Sequence, residues 1–378
     1  MYLSSRLSQL IHRMNRTNCV ICNTPDNFIE IHRLENYPIT PSSSLESSDE
    51  FRDCVFVTCN SCGSVQLKTL IDPFKLYKDS HNSTENTPTW REHHKLFSEF
   101  ISSNSNIDSI VEVGGNSGIL YTYLKDVISK YTILDICDTN GRPDDIVFIE
   151  GNCETYDFSG HKTVVLSHTF EHLYYPLKFI NNLSKGRVES VYISIPNMEN
   201  LYKSKNVSII HNEHTFFVGD EEIRYLFSQS GYVCKSLDGF KMHSLFYHFV
   251  YDHSSRPLTL HKNLKRSEYI QTYLKEFEET VSNLVIDRPS FICPAGHYGQ
   301  KIFYYLQKYS ANILGFIDND ISKQNKRVYG TTGQVYSPDI LQKYKDTIIN
   351  VILYAGPYTV ELKAQLNLLH PRIEYISI

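Results

Sequence analysis

The feature that most constrains this chain is a glycine-rich turn within residues 107–123, IDSIVEVGGNSGILYTY. A short apolar run at 110–113 leads into Gly114, Gly115 and Gly118, and apolar residues at helical spacing follow. Strand, glycine turn and helix in this order are typical of a nucleotide-type site, because glycines let backbone N–H groups approach a ligand closely. GGNSG is not GxGxxG, so the turn alone also fits a tight turn without a ligand.

The segments after the turn predict a parallel sheet. Strand-like runs recur, separated by polar loops and helix-like stretches, at 130–135, 145–149, 162–166 and 190–195. The first of them ends in Asp135, 17 positions after Gly118. An acid about 20 residues beyond such a turn meets ribose hydroxyls in a dinucleotide fold. We therefore expect a doubly wound α/β sheet with its ligands at the carboxyl ends of the strands.

Four of the nine cysteines form two CxxC pairs, Cys19 with Cys22 and Cys59 with Cys62. Two such turns complete a tetrahedral Zn(Cys)4 shell, which leaves no open position and is therefore structural. A redox pair, which needs only one CxxC, and chance are the alternatives. Cys54 is expected to be a spare thiol.

The 36 residues between the two pairs contain Pro38, Pro41 and a serine-rich run. We expect this connection to be mostly irregular.

Composition narrows the classes of partner. The chain has 378 residues and a net charge of -5, with 42 acidic against 37 basic residues, which gives no electrostatic footprint for nucleic acid. No apolar run approaches the ~20 residues of a membrane span. The first 16 residues contain Arg and Ser without acid, so a transit peptide stays open. Scattered single thiols favour a reducing compartment, and we expect a cytoplasmic protein.

The segment from His211 to His214, with Glu213 between them, offers two imidazoles and a carboxylate. Such groups act as acids and bases or bind metal, but the i,i+4 histidines of a helical zinc site are absent. A hydrogen-bonded structural histidine is the alternative. An amphipathic helix should follow at 220–231, with Asp220 as N-cap and Gly231 as its stop.

The last third of the chain predicts a bridging helix at 262–284 and then a second βαβ unit, with a glycine turn at 294–299 and a strand ending in Asp318. Binding part of a nucleotide substrate and packing alone both remain open for it. The predicted divisions are a zinc module (1–75), a connecting or lid segment (76–105), a nucleotide-type domain (106–258), the bridging helix (259–287) and a Rossmann-like domain (288–378).

The glycine turn, the acid after the second strand and the polar loop after the third together resemble class I S-adenosylmethionine (SAM) methyltransferases. The resemblance implies that Glu112, Gly114 and Gly118 form the E/DxGxxxG motif under the methionine part of SAM. It assigns Asp135 to the ribose and Asn152 to the adenine side. Gly115, Asn116 and His168 complete the candidate cofactor-binding residues.

Over nearly its whole length the chain resembles the sugar C-methyltransferases that methylate nucleotide-linked 4-keto deoxysugars. The motifs CxxC…CxxCGxVQL, VEVGGNSG, an EH after the fourth strand, xxEHxxxF and GFIDND followed by SPDIL occur in the family's order. The resemblance implies SAM and structural Zn2+ as cofactors and a nucleotide-linked sugar as the small-molecule partner. It requires no catalytic metal.

Two positions depart from that family. The family has Tyr-His-Glu-His where this chain begins with His211 and Asn212, and the loop at 78–84 lacks the family's tyrosine. His211 and His81 are the candidates to substitute for these tyrosines, and these departures leave open whether the substrate or the methyl-accepting atom differs from the family's.

C-methylation beside a ketone needs a base for the α-proton and a donor to stabilise the enolate. The hypothesis is that His214 is the base, Glu213 orients an imidazole or the sugar, and His172 holds or polarises the substrate, with His211 as a further catalytic candidate. An O- or N-methyltransferase of a sugar or glycan, and a zinc-stapled scaffold with a vestigial SAM site, are the alternatives. The sequence does not indicate the oligomeric state.

Overall fold

The computed structural model describes residues 14–45, 48–77, 88–104, 107–138, 141–207, 210–354 and 359–378. The strands, in chain order, are β1 (Met14–Asn15), β2 (Phe28–Pro38), β3 (Ser43–Ser44), β4 (Phe51–Cys59), β5 (Val65–Leu67), β6 (Thr69–Leu70), β7 (Ser109–Val113), β8 (Lys130–Asp135), β9 (Val147–Glu150), β10 (Thr163–Ser167), β11 (Ser190–Pro196), β12 (Phe216–Phe217), β13 (Tyr232–Phe240), β14 (Ser244–Tyr251), β15 (Ser290–Cys293), β16 (Ile313–Ile317), β17 (Arg327–Val328), β18 (Val335–Tyr336), β19 (Ile349–Leu353) and β20 (Ile373–Ser377). The α-helices are α1 (Pro73–Leu76), α2 (Pro88–Asn104), α3 (Ile119–Leu124), α4 (Pro176–Lys185), α5 (Met198–Lys203), α6 (Asp220–Ser228), α7 (Lys265–Ser282), α8 (His297–Leu306) and α9 (Thr359–Leu369).

The chain forms two compact units, and each of them combines three separate stretches of the sequence. The first contains residues up to Ile31, Val55–Ser204 and Glu213–Glu268, and the second contains His32–Cys54, Lys205–Asn212 and Tyr269–Ile378. The five consecutive divisions given in the sequence analysis are assigned by expected function, and they stay a prediction.

A seven-stranded sheet organises the first unit, in the order β13-β14-β11-β10-β7-β8-β9. The five strands β11, β10, β7, β8 and β9 pair in parallel with one another. At the β11 edge, β14 pairs antiparallel with β11 and forms an antiparallel hairpin with β13. The parallel strands are short apolar runs, as expected for strands that are covered on both faces. The prediction of a doubly wound α/β sheet is confirmed, whereas the terminal hairpin was not predicted.

The winding of this sheet reverses at β7. The strands β8 and β9 lie on one side of it, and β10 and β11 lie on the other. Val113 at the end of β7 is level with Leu134 of β8 and with Leu166 of β10. In open α/β sheets, ligands bind at the carboxyl ends of the strands where the strand order reverses. The fold therefore places the glycine turn that follows β7 at the crevice where a ligand is expected.

The expectation of an irregular connection between the two CxxC pairs is wrong. That connection contains β2, with 11 residues, and β4, with 9 residues. β4 pairs with β5, which in turn pairs with β12, both antiparallel. Strands form here because tyrosine, phenylalanine and β-branched residues favour them. The prolines and serines limit the length of the strands but do not prevent them.

Helix α6 corrects the predicted caps. It begins at Asp220 after an N-cap at Gly219, whose backbone N–H donates to Glu222 Oε2 at 2.9 Å. Asp220 is the first helical residue, where its negative charge suits the positive end of the helix dipole. The helix ends at Ser228, three residues before Gly231, which adopts a φ of 84° in the following turn.

The second unit has a five-stranded sheet in the order β18-β16-β15-β19-β20. All of its pairings are parallel, and β15 lies between strands that come later in the chain on either side. The prediction of a second Rossmann-like unit is thus confirmed. In the part of the chain that the structure describes, no helix combines the length and apolarity needed to cross a membrane.

Lys301 on α8 ties segment 205–212 to the second unit. Its ammonium is buried and donates to Val207 O at 2.7 Å and to Ile210 O. Burial lowers the pKa of Lys301 from 10.5 to about 7.

We predict a pH dependence of stability from Lys301. Between pH 7 and 10.5 the unfolded chain holds a proton on this lysine that the folded chain does not, so the free energy of unfolding should rise with pH, by ~1 kcal/mol per pH unit. Denaturant unfolding at several pH values in this range measures this dependence. The free energy of unfolding should rise less steeply with pH in Lys301→Met, whereas Lys308→Met, at an exposed position, should match the wild type. Equal slopes for the wild type and Lys301→Met would contradict the prediction.

Candidate functional site

The glycine turn after β7 requires glycine at two positions. Gly114 has a φ of 71° and Gly118 a φ of 77°. A Cβ on Gly114 would lie 2.6 Å from Thr169 Oγ1, on the loop after β10. The loops after β7 and β10 therefore meet at the point where the winding reverses, and Gly114 has no room there for a side chain.

Glu112 supports the turn from below. It is buried, and its Oε2 accepts a hydrogen bond from the phenol of Tyr131 at 2.7 Å. A Cβ on Gly115 would come within 2.5 Å of the same carboxylate oxygen. The carboxylate thus lies directly beneath the turn and fixes its position.

Asp135 and Asn152 lie on the next loops along the same edge. Asp135 Oδ2 accepts from the backbone N–H of Asn116 at 3.2 Å, which links the end of β8 to the glycine turn. The backbone of Gly151 donates to Asp135 O at 2.8 Å, and Asn152 Oδ1 accepts from the N–H of Glu154 at 2.8 Å. Burial raises the pKa of Asp135, although backbone N–H groups oppose that shift. The structure brings these predicted residues together.

His168, predicted as a cofactor residue, is held inside an aromatic cluster. Its Nε2 lies 2.7 Å from Ser244 Oγ, and its ring lies 4.8 Å from the ring of Trp90. The rings of His93 and His243 are 5.0 and 5.3 Å away. Burial and the neighbouring imidazoles keep the pKa of His168 well below its ordinary value, so this ring is neutral.

Sequence reasoning missed the partners of His168 because they come from α2 and from the β13–β14 hairpin. His93 is fully buried, with its Nε2 2.8 Å from Ser194 Oγ, and burial lowers the pKa of His94 to about 4. The sequence does contain a signal for His93, because Phe97 and Ile101 follow it at intervals of four residues on the same helix face.

Three chain segments bring His172, His214 and Tyr77 together. His172 lies in a 3-10 helix, Phe170–His172, after β10, and the N–H of Thr215 donates to Glu171 O at 3.0 Å. This bond brings the ring of His214 to 5.1 Å from that of His172. The Tyr77 hydroxyl lies 2.5 Å from His172 Nδ1.

Tyr77 is a functional candidate that the sequence did not reveal. It lies one residue before the tyrosine-poor loop at 78–84, and that loop, with His81, falls outside the described residues. Burial and the carboxylates of Glu213, Glu171 and Asp135 raise the pKa of Tyr77 well above its ordinary value. A neutral phenol, able to donate a hydrogen bond, thus lies within the field of both the histidine pair and Asp135.

Glu171 was noted only as part of an EH pair. Its side chain is 3% exposed, and neither carboxylate oxygen has a hydrogen-bond partner among the described residues. Its Oε1 lies 3.4 Å from His168 Nδ1 and 3.9 Å from His172 Nε2. Burial raises the pKa of Glu171 to about 7.

The predicted group of His211, Glu213 and His214 is divided by the architecture. Glu213 is buried and belongs, with His214, to the first unit. His211 belongs to the second unit, where its ring lies 4.2 Å from that of His297. Its catalytic role stays a prediction.

The four predicted zinc ligands converge. The Sγ atoms of Cys19, Cys22, Cys59 and Cys62 all lie within 4.8 Å of one another. The Sγ–Sγ distance is 3.7 Å between Cys19 and Cys62 and 3.6 Å between Cys22 and Cys59. Zn–S bonds of about 2.3 Å in a tetrahedron place the sulfurs about 3.8 Å apart. The donor set therefore fits a closed, structural zinc site.

Surrounding donors also suit thiolate ligands. Gln66 Nε2 donates to Cys19 Sγ at 3.4 Å, and Ser64 Oγ lies 3.2 Å from the sulfurs of Cys19 and Cys62. Such donors orient metal ligands and stabilise their charge. Cys54 is different, since burial raises the pKa of its thiol to about 12, as expected for an inert spare cysteine.

We expect Cys22→Ser to remove zinc and destabilise the first unit, because three thiolates no longer close the shell. Elemental analysis should show about one zinc per chain in the wild type and much less in the variant, with a lower Tm. Cys137→Ser, which changes a half-buried thiol elsewhere, should keep both values. Zinc retained by Cys22→Ser would contradict the assignment.

No family model matches this sequence, and no curated protein is significantly similar to it. Solved structures of similar fold include the N-methyltransferase NodS from Bradyrhizobium japonicum in complex with S-adenosyl-L-homocysteine, at 13% identity and a TM-score of 0.37, over 46% of this chain and 93% of that one. The 1,6-didemethyltoxoflavin-N1-methyltransferase from Burkholderia thailandensis is similar at 9% identity and a TM-score of 0.38, over 47% and 84%. Magnesium protoporphyrin IX methyltransferase from Synechocystis PCC 6803 is similar at 12% identity and a TM-score of 0.35, over 43% and 84%. At these values the likeness carries no argument about the reaction, and the case for the site rests on its geometry.

Proposed function

We propose that the first unit is a SAM-dependent methyltransferase, which transfers the methyl group to a carbon of a nucleotide-linked keto-deoxysugar through an enolate. The observation that carries the proposal is a single sheet edge that combines a glycine turn, an acid on the next strand and an imidazole–phenol cluster. Methyl transfer needs these elements side by side, because the sulfonium carbon and the acceptor must meet in line.

On the cofactor side, the backbone of Gly114, Gly115 and Gly118 receives the methionine part of SAM, and Glu112 holds the turn from below. Asp135 binds the ribose hydroxyls, since a carboxylate at this position of a parallel sheet accepts their hydrogen bonds. Asn116 fixes Asp135, and Asn152 contributes on the adenine side. His168 closes the cofactor site through the loop it shares with Thr169.

On the acceptor side, His172, His214 and Glu213 activate the substrate. Loss of the α-proton places negative charge on the ketone oxygen, and preorganised donors aimed at that oxygen lower the barrier. Tyr77 supports a carbon acceptor, because its neutral phenol supplies such a donor although the family's tyrosines are replaced in this sequence. The role of His211 stays a prediction.

The remaining modules fit the same proposal. The Zn(Cys)4 site stabilises the first unit and takes no part in the chemistry, because four thiolates leave no open position. For the second unit, binding of part of a nucleotide and packing alone both stay predictions. We propose a small-molecule partner and no nucleic acid, in line with the net charge of -5.

SAM should raise the Tm of the full-length chain, because a ligand that binds only the native state stabilises it. Gly114→Ala should lose this shift, since its Cβ would meet Thr169 at 2.6 Å and its φ is 71°. Gly160→Ala is the matched control, because Gly160 has a φ of 86° but nothing within 4 Å of an added Cβ. If SAM leaves the wild-type Tm unchanged, the proposal fails and a scaffold with a vestigial site takes its place.

The second test uses SAM, a 4-keto nucleotide sugar and product analysis by mass spectrometry and NMR. The proposal predicts a new carbon–methyl bond, and we expect His214→Ala to lower kcat by about 10²–10⁴-fold while the SAM-dependent Tm shift persists. His253→Ala, at an exposed imidazole, should keep wild-type activity. Methylation of oxygen or nitrogen instead of carbon would establish the alternative acceptor, and full activity of His214→Ala would overturn its assignment.

A further inference from the structure

A carboxylate and two imidazoles lie together at the acceptor end of the sheet. Glu171, His172 and His214 each offer one ligand atom, and these atoms lie within 4.8 Å of one another. The first two follow β10, and the third precedes β12, so the sequence alone does not bring them together. The segment from His211 to His214 lacks the i,i+4 histidines of a helical zinc site, and Glu171 and His172 supply the other ligand atoms from a different segment.

The burial of Glu171 is the observation that points to a ligand. Its side chain is 3% exposed, and both of its oxygens lack a hydrogen-bond partner among the described residues. A buried carboxylate without a partner is strongly unfavourable when it is ionised, and either a proton or coordination of a metal ion offsets that cost.

The orientation of His172 also suits coordination. Its Nδ1 lies 2.5 Å from the Tyr77 hydroxyl, and its Nε2 lies 3.9 Å from Glu171 Oε1. When Nδ1–H donates to Tyr77, the lone pair of Nε2 is available on the side of the carboxylate. Metal-ligating histidines commonly use one ring nitrogen for the ion and the other for such a hydrogen bond.

Distances and exposure agree with one shared ion. Metal–ligand bonds of about 2.0–2.2 Å put two ligand atoms at most about 4.3 Å apart, and the 3.9 Å between His172 Nε2 and Glu171 Oε1 is within that limit. His172 and His214 are only half-buried, so coordination positions on their side remain accessible to a small molecule.

We propose that Glu171, His172 and His214 bind one divalent transition-metal ion, with Tyr77 as the hydrogen-bond partner that orients His172. Two histidines and one carboxylate bind Zn2+, Mn2+ or Fe2+ and leave positions open. The open positions take an oxygen of the acceptor, which selects acceptors with a carbonyl or hydroxyl at the reacting end. His214 then acts on the acceptor through the ion and not as a free base, and this part rests on the proposed function.

The test measures metal binding by the full-length protein with its four-cysteine site filled with zinc. Electron paramagnetic resonance should show one Mn2+ bound per chain, because the hard Mn2+ ion does not compete for the thiolate site. Glu171→Gln keeps the shape of the side chain and removes its charge, and we expect it to weaken Mn2+ binding at least 10-fold. Tyr77→Phe should weaken binding about 10-fold, as expected for a partner of a ligand.

His253→Gln, at an exposed imidazole outside the cluster, is the control and should bind Mn2+ like the wild type. Elemental analysis after equilibration with excess zinc gives a second readout, with two zinc ions per wild-type chain and one per Glu171→Gln chain. The proposal is overturned if neither Mn2+ nor a second zinc binds, or if Glu171→Gln binds both as the wild type does. The SAM-dependent Tm shift is recorded in parallel, so that failure of the metal site and failure of the methyltransferase assignment are distinguished.

Discussion

The reversal of strand order at β7 is the constraint on which the first unit depends. Parallel strands pair only when their connections return over the faces of the sheet, so the loops at their carboxyl ends gather along one edge. Where the winding changes direction, neighbouring loops run apart and leave a crevice. At the base of that crevice the loops after β7 and β10 touch, so that Gly114 has no room for a Cβ beside Thr169.

Several ionisable side chains are buried at this edge of the sheet. Imidazoles at His93, His94 and His168 are neutral because burial opposes their protonation. The carboxyl group of Glu171 is buried beside the neutral His168 ring, and burial raises its pKa to about 7. A cation or a proton is therefore favoured at this carboxyl group.

The four-cysteine site differs from the Glu171 cluster, because its sulfurs already lie at the spacing expected for a filled zinc tetrahedron. Its ligands come from two turns 36 residues apart in sequence, and the chain between them forms strands. A closed shell of this kind contributes to folding, whereas the Glu171 cluster is open on its histidine side. The two clusters therefore suit a structural and a chemical task, respectively.

Local signals in the sequence predict the parallel strands, the glycine turn with Asp135, the four clustered cysteines and the second Rossmann-like unit. These signals are apolar runs, turn residues and the spacing of thiols. Three-dimensional packing alone brings Tyr77 to His172 and buries Glu171 beside His168. It also assigns His211 and His214 to different compact units. It also decided that Glu112 supports the turn from beneath and that the hairpin β13–β14 supplies Ser244 to His168. These contacts join residues far apart in sequence, and they form because paired strands and loops bring distant segments to the same edge of a sheet, which no local pattern encodes.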